Sequence, residues 1–405
     1  MRIGFFTSVV GWGGSEICLQ TLLRGVRELG HEPVLFGIEG TRLLREIRNE
    51  GIECVAWKSL ETPGPVEPLP SDAEPPARRG ARSLKARVLA HTPDSIRLLV
   101  GNAREVMALR KVFRRHPVDV MHVSLSGYEM AGLACQWVGI PSLGWHALMP
   151  CSNPGTIRRW LIRWSGQCYT CLGGTSKACA DAWHRQCGLP AERCIWVWNG
   201  IDTLRFGSSV PLVRGPGDPC VILAAGRLQP MKGFDGLIRA FGLLDDARAE
   251  LWIAGDGPEE GALRELASRT PRGNSVMFLG HSENPERLYA SAHVFVLPSV
   301  SLESFGLVVA EAMAAGLPVI TSDFGPLPEI NLAGETGLVV PTRNAGALAE
   351  ALLYVMDHPE QGRNWGAAGR KRAMEVFTQE RMVAEMLRIY EGLARPATKR
   401  SRSPR

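Results

Sequence analysis

Nowhere in the 405 residues does an apolar run approach the roughly 20 needed to span a bilayer, so no transmembrane helix is expected. The opening stretch Met1-Arg2-Ile3-Gly4-Phe5-Phe6-Thr7-Ser8 has too short an apolar segment for a secretory signal and reads as a first strand, which predicts a cytosolic chain. Charge is nearly balanced: 46 lysines and arginines against 41 acids leave a net +5, which argues against a nucleic-acid partner. Ten cysteines are dilute in a long chain without an export signal, so no disulfide framework is expected and most should be small buried residues. The close pair Cys168-x-x-Cys171 lacks the second pair that a zinc site would need. Also missing are Gly-x-x-x-x-Gly-Lys, His-Glu-x-x-His and Gly-x-Ser-x-Gly, and neither half carries a dinucleotide fingerprint in its first turn. These absences disfavour P-loop, zinc-peptidase, serine-hydrolase and NAD-dependent oxidoreductase chemistry.

What is present is a rhythm of short apolar runs alternating with amphipathic stretches, the pattern of a parallel sheet covered by helices, hence an α/β fold. In the first half the strands are predicted at 2–7, 33–37, 52–57, 118–123, 140–145 and 169–173, with helices near 15–29, 95–115, 128–138 and 176–187. The second half repeats the rhythm, with strands near 220–225, 249–253, 276–279, 293–297, 318–321 and 337–340. The aperiodic stretch Ser208 to Pro219, with Pro211, Gly215, Pro216 and Gly217, reads as the linker. The expected layout is an N-terminal domain over 1–207 and a C-terminal domain over 218–378, facing each other across a cleft. A closing helix, 379–395, is expected to return to the N-terminal domain.

Two segments fall outside that rhythm. Six prolines between Glu61 and Pro76, followed by Arg78, Arg79, Arg82, Lys85 and Arg87, mark 58–93 as an insertion; residues 396–405 read as a basic solvated tail. Ile157, Trp160, Leu161 and Trp164 recur at helical spacing with Arg158, Arg159 and Arg163 opposite. Such a helix either packs on its own sheet or touches an anionic membrane beside a lipid-linked acceptor.

The stretch Pro298-Ser299-Val300-Ser301-Leu302-Glu303-Ser304-Phe305-Gly306-Leu307 runs on through Glu311 to Gly316. Pro298 ends a strand and Gly316 stops a helix, so Glu303 falls on a loop at the carboxyl end of a strand and Glu311 about two turns into the helix. The helix start near Phe305 and Gly306 offers unpaired amides and a positive dipole end to a phosphate. Gly226-Arg227-Leu228-Gln229-Pro230-Met231-Lys232-Gly233 places two cations on one loop. An arginine fork and a lysine point charge suit a departing diphosphate, whose charge grows as its bond to sugar breaks.

On these motifs the chain resembles the retaining glycosyltransferases of family 4, which have the GT-B fold of two Rossmann-like domains. Its Glu303 and Glu311 match that family's E-x7-E signature, flanked by Ser304, Phe305, Gly306 and Leu307. The resemblance implies that Glu311 holds the donor ribose, that Glu303 lies near the donor sugar, and that Arg227 and Lys232 meet the diphosphate. Gly255-Asp256-Gly257-Pro258 matches a family string that supports the donor pocket. In Gly11-Trp12-Gly13-Gly14-Ser15-Glu16 the resemblance puts Gly13 and Gly14 against the diphosphate. It also makes His146, expected to follow a strand and face the cleft, a functional residue close to the transferred sugar. Asn199-Gly200-Ile201-Asp202 reads as hinge architecture, and Glu329 in Gly325-Pro326-Leu327-Pro328-Glu329-Ile330 as a buttress of the site.

The expected activity is transfer of a hexosyl unit from a nucleotide diphosphate sugar to a glycan or lipid-linked acceptor hydroxyl, with retention, in surface polysaccharide or glycolipid assembly. No Asp-x-Asp string occurs, which fits a site in which Arg227, Lys232 and helix ends take the place of a bound metal, with no cofactor. Two rival readings stay open: a nucleotide-sugar epimerase on the same fold, and an inactive scaffold that only binds nucleotide sugars.

Overall fold

The computed structural model describes all residues except 10–12, 58–93, 126–129, 148, 151–155, 209–214, 216–217, 245–247 and 396–405; the side chains of 94–102 and 156–158 are also outside it. The proline-rich insertion, the basic tail, most of the linker, Ile157 and Arg158 therefore lie outside the described side chains.

Two parallel sheets are present. The first holds β1 (Arg2–Thr7), β2 (Glu32–Ile38), β3 (Glu53–Trp57), β4 (Val120–Leu125), β5 (Ser142–His146), β6 (Cys171–Gly174) and β7 (Cys194–Trp196), in the order β3-β2-β1-β4-β5-β6-β7. The second holds β8 (Cys220–Ala225), β9 (Ala249–Ala254), β10 (Val276–Gly280), β11 (Val294–Leu297), β12 (Val319–Ser322) and β13 (Gly337–Val340), in the order β10-β9-β8-β11-β12-β13. Both orders reverse direction once, between β1 and β4 and between β8 and β11. Open parallel sheets take their ligands at the carboxyl ends of the strands flanking such a reversal. The loops that leave β1, β8 and β11 are the three that carry the glycine, cation and glutamate motifs.

Both faces of each sheet are buried, which is why the strands read as near-continuous apolar runs. Helices Asp94–Arg115, Ala131–Val138, Thr156–Gln167 and Lys177–Cys187 share one core with the first sheet through residues such as Leu109, Phe113, Ala134, Ile162 and Trp183. Helix Gly14–Glu28 and the last helix, Gln379–Ala394, cover its other face around Phe5, Leu23, Val383 and Tyr390. There Gly25 lies against Val383, and Tyr390 Oη is 2.8 Å from the buried His122 Nδ1. The chain crosses back at Gly200, where a Cβ would stand 2.5 Å from the Gln379 Cα, and Ile201 N–H donates to Phe377 O at 2.8 Å. Asp202 then caps helix Thr203–Gly207 by accepting from Arg205 N at 2.9 Å.

Two readings change. The three-residue β7, an edge strand too short to show alternation, adds a seventh strand to the first sheet. Strand β5 begins after Pro141 and runs through His146, so that histidine is the last strand residue and not the first loop residue. Side chains alternate along a strand. Trp145 therefore joins the core beneath helix Gly14–Glu28, while the His146 ring points to the opposite face and stacks on Trp183 with centroids 3.6 Å apart. His146 does not face the cleft.

Candidate active site

The loop after β8 is shaped by glycines. Gly226 and Gly255 have positive φ, and a Cβ on Gly255 would lie 2.0 Å from Gly226 O, so this close approach admits glycine alone. Leu228 N–H donates to Asp256 O at 2.7 Å, and Glu259 N–H returns to Leu228 O at 3.1 Å. The Gly255-Asp256-Gly257-Pro258 string thus braces the loop that presents Arg227 and Lys232. Arg227 is exposed, and its guanidinium makes no hydrogen bond or ion pair among the described residues.

Lys232 reaches across to the loop after β11, where its Nζ lies 2.6 Å from Glu303 Oε2; both side chains are largely buried, at 16% and 9% exposure. Ser299 Oγ donates to the same oxygen at 2.9 Å. The residue before the glutamate, Leu302, has φ 55°, a left-handed conformation that costs a branched-chain residue roughly 1–2 kcal/mol and turns the loop so that Glu303 meets the lysine. Helix Leu307–Ala314 follows, entered through Gly306 at φ 97°. Ser304, Phe305, Gly306 and Leu307 precede or open its first turn, where backbone amides lack intrahelical partners.

Their side chains are engaged elsewhere. Phe305 is in the core against Phe377, and Ser304 Oγ donates to Ala147 O at 2.5 Å while Ser304 O accepts from Thr175 Oγ1 at 2.9 Å. Ser304 is therefore a latch between the domains; from this segment only backbone amides are left to meet a ligand. Leu307 packs against Gly14, where a Cβ would come within 2.6 Å of its Cδ1. Glu329 closes the same interface: its carboxylate accepts from Ala178 N at 2.7 Å and Lys177 N at 3.1 Å, capping helix Lys177–Cys187 from the other domain.

Glu311 is half-buried and accepts from Tyr289 Oη at 2.8 Å. Burial raises its pKa above the usual carboxylate value, against the opposing pull of Tyr289 and of the nearby Arg205 guanidinium. After burial itself, the Glu311 charge helps push the thiol of Cys18, on helix Gly14–Glu28, up to about 12. Gly13 N-caps helix Gly14–Glu28, and the buried Glu16, three residues on, accepts from Ser15 Oγ at 3.0 Å. Gly13 and Gly14 thus stand opposite Leu307 at the switch point of the first sheet.

Beside them lies a cavity of about 200 Å³. Ala147 and Thr175, the two residues bonded to Ser304, line it together with Ser15, Glu16 and Asn199; Leu19, Leu22, Trp145, Met382 and Met386 supply apolar walls. His146 does not line it. Its two ring nitrogens are buried without partners, and burial lowers its pKa to about 3, so the ring is neutral.

The structure therefore joins Lys232 to Glu303 and sets the Leu307 helix start against Gly14, with Arg227 exposed on the Lys232 loop and Glu311 further along the same helix, and sets His146 apart. Tyr289, Thr175 and Glu16 are additions. The Gly-Gly-x-Glu string carried a signal for Glu16, as glycine followed three residues later by glutamate. Tyr289 and Thr175 had none, since their partners lie 22 and 129 residues away.

Residues 12–205 match the family described as Glycosyltransferase Family 4, and residues 213–372 match Glycosyl transferases group 1. A glycogen synthase of Mycobacterium tuberculosis is 30% identical over 292 residues, 71% of this chain and 66% of its own length. A phosphatidyl-myo-inositol mannosyltransferase of Mycobacterium leprae is 32% identical over 50% of this chain and 54% of its own. The chain thus spans about half to two thirds of these relatives. Among solved structures, a glycosyltransferase of Rickettsia africae superposes with a TM-score of 0.76 at 17% identity over 99% of both chains. Anabaena HepE in complex with UDP and glucose gives 0.72 at 17% identity, over 96% of this chain and 99% of that one. With both domains matched and the two-sheet architecture shared, the chain belongs to glycosyltransferase family 4 and has the GT-B fold.

Proposed function

We propose that this protein transfers a hexosyl unit from a nucleoside diphosphate sugar to an acceptor hydroxyl with retention of configuration, without a metal or other cofactor, in the assembly of a surface polysaccharide or glycolipid. The observation that carries the proposal is the pairing of Lys232 with Glu303 beside the start of helix Leu307–Ala314, with Arg227 exposed on the same loop as Lys232. Two cations and a helix N-terminus match the two charges of a departing diphosphate. Glu311, held by Tyr289, presents a carboxylate to ribose hydroxyls.

In this reading the bond from the anomeric carbon to the diphosphate oxygen breaks as the acceptor oxygen bonds to that carbon on the same face. The acceptor proton passes to the departing phosphate oxygen. Arg227 and Lys232 stabilise the growing negative charge, and Glu303 faces the positively polarised ring. The acceptor hydroxyl enters beside Ala147 and Thr175. Relatives support a nucleotide sugar without naming it for this chain: one is described as GDP-mannose-dependent, whereas HepE was solved with UDP-glucose.

The test is a thermal-shift screen of the purified protein with UDP, GDP, ADP and their sugar conjugates in EDTA, because a ligand that binds the native state raises stability by mass action. A shift confined to one nucleotide and lost in Glu311→Ala supports the site. No shift with any of them sinks it.

A further inference from the structure

The helical layer on the outer face of the first sheet has an unusual surface. Inward, helices Asp94–Arg115, Ala131–Val138 and Thr156–Gln167 give Leu109, Phe113, Ala134 and Ile162 to the core. Outward, they leave Met107 64%, Trp137 51%, Trp160 55% and Trp164 38% exposed. Trp160 and Trp164 lie parallel, with planes 2° apart, and Arg110 stands over the Trp137 ring at 5.9 Å. Exposed Arg104, Lys111 and Arg114 share the helical face of Met107, and exposed Arg159 and Arg163 flank the tryptophan pair. Among the described side chains of these helices, Glu105 is the one acid.

We propose that this three-helix face docks the protein on an anionic lipid surface. Tryptophan favours the headgroup level of a bilayer, where an apolar ring body and an indole N–H are both satisfied. Arginine and lysine stems lie along apolar surface while their heads meet lipid phosphates. The sign of the charge selects the partner: an excess of cations around exposed indoles is complementary to acidic headgroups. No helix among the described residues is long and apolar enough to cross a membrane, so contact through this face is peripheral and reversible. Helix Thr156–Gln167 follows β5, and the next residue after that strand, Ala147, lines the cavity. The cavity itself is walled from the opposite face of the sheet, by helix Gly14–Glu28 and the last helix, so docking by this face leaves it uncovered. The inference rests on the N-terminal domain's surface and is independent of the donor chemistry.

The experiment is co-sedimentation of the full chain with vesicles of phosphatidylcholine alone and of phosphatidylcholine and phosphatidylglycerol in equal parts, at low and high salt. Binding is expected to the mixed vesicles and to weaken with salt. Each cation removed should cost about fivefold in partitioning, so Lys111→Glu with Arg114→Glu should lose more than tenfold. Trp160→Ala with Trp164→Ala should also bind less, with the salt dependence kept. Circular dichroism and an unchanged melting temperature establish that the variants fold. Equal binding to both vesicle types, no binding to either, or variants that bind like the parent would overturn the proposal.

Discussion

Lys232 Nζ and Glu303 Oε2 are 2.6 Å apart, so the cation assigned to the diphosphate and the carboxylate assigned to the sugar are partners of each other. A diphosphate entering the cleft must share the lysine with Glu303. That competition separates the two roles experimentally. Lys232→Ala should weaken nucleoside diphosphate binding by about tenfold, the worth of one hydrogen bond to a charged group. Glu303→Ala frees the lysine and should leave nucleotide affinity unchanged or improved while transfer falls by roughly a hundredfold. Calorimetry with the nucleotide found by thermal shift, alongside transfer rates, reads both. Equal losses of nucleotide affinity would refute the division of labour.

Glu311 should trade stability against binding. Its folded pKa is raised by burial, so between the ordinary carboxylate value and that raised value the folded state holds more protons than the unfolded state. Stability then falls as pH rises through that window. Glu311→Gln removes this cost, so its stability advantage over the parent should grow as pH rises through the window. Donor binding should weaken, since ribose hydroxyls lose a charged acceptor. Denaturant melts across pH, paired with donor titrations, test both halves.

Tyr289→Phe should weaken donor binding several-fold by freeing the Glu311 carboxylate, at a stability cost of about 1 kcal/mol for one lost hydrogen bond. The affinity effect should vanish in a Glu311→Ala background, where Tyr289 has no carboxylate to hold. A double-mutant cycle on donor affinity measures this coupling, and additive effects would count against it.

Gly14→Val should obstruct the seating of the two domains, since even a Cβ would lie 2.6 Å from Leu307 Cδ1. The expected outcome is at least a tenfold loss of kcat/KM with a melting temperature close to the parent's. Adding Leu307→Ala should restore much of the activity. A loss that Leu307→Ala cannot relieve would place the role of Gly14 elsewhere.

His146→Phe keeps a ring against Trp183 and should retain transfer activity. His146→Ala should instead destabilise the protein by about 3 kcal/mol through the cavity it leaves. Rates and denaturant melts on both variants decide the matter, and loss of transfer in a stable His146→Phe would return the histidine to the active site.

Much of this protein was legible in its sequence because the relevant signals are local. Apolar runs of β-sheet length recur through both halves, and every strand of the two sheets except the short edge strand β7 lies within a few residues of where those runs predict. Glycine at Gly255 marks a backbone approach that no other residue allows, and glycine at Gly226 a positive φ. A glutamate on a strand-to-helix loop and another two turns on were bound to address one cleft once the strand and the helix stop were recognised. The tertiary structure decided what depends on partners distant in the chain. It spent Ser304 on Ala147 and Thr175, 157 and 129 residues away, gave Glu311 a tyrosine, and joined Lys232 to Glu303. It also turned His146 inward, because a one-residue difference in where a strand ends reverses the face on which a side chain emerges. Periodicity and turn chemistry set the elements, whereas the pairing of side chains between them exists only once the two domains have packed.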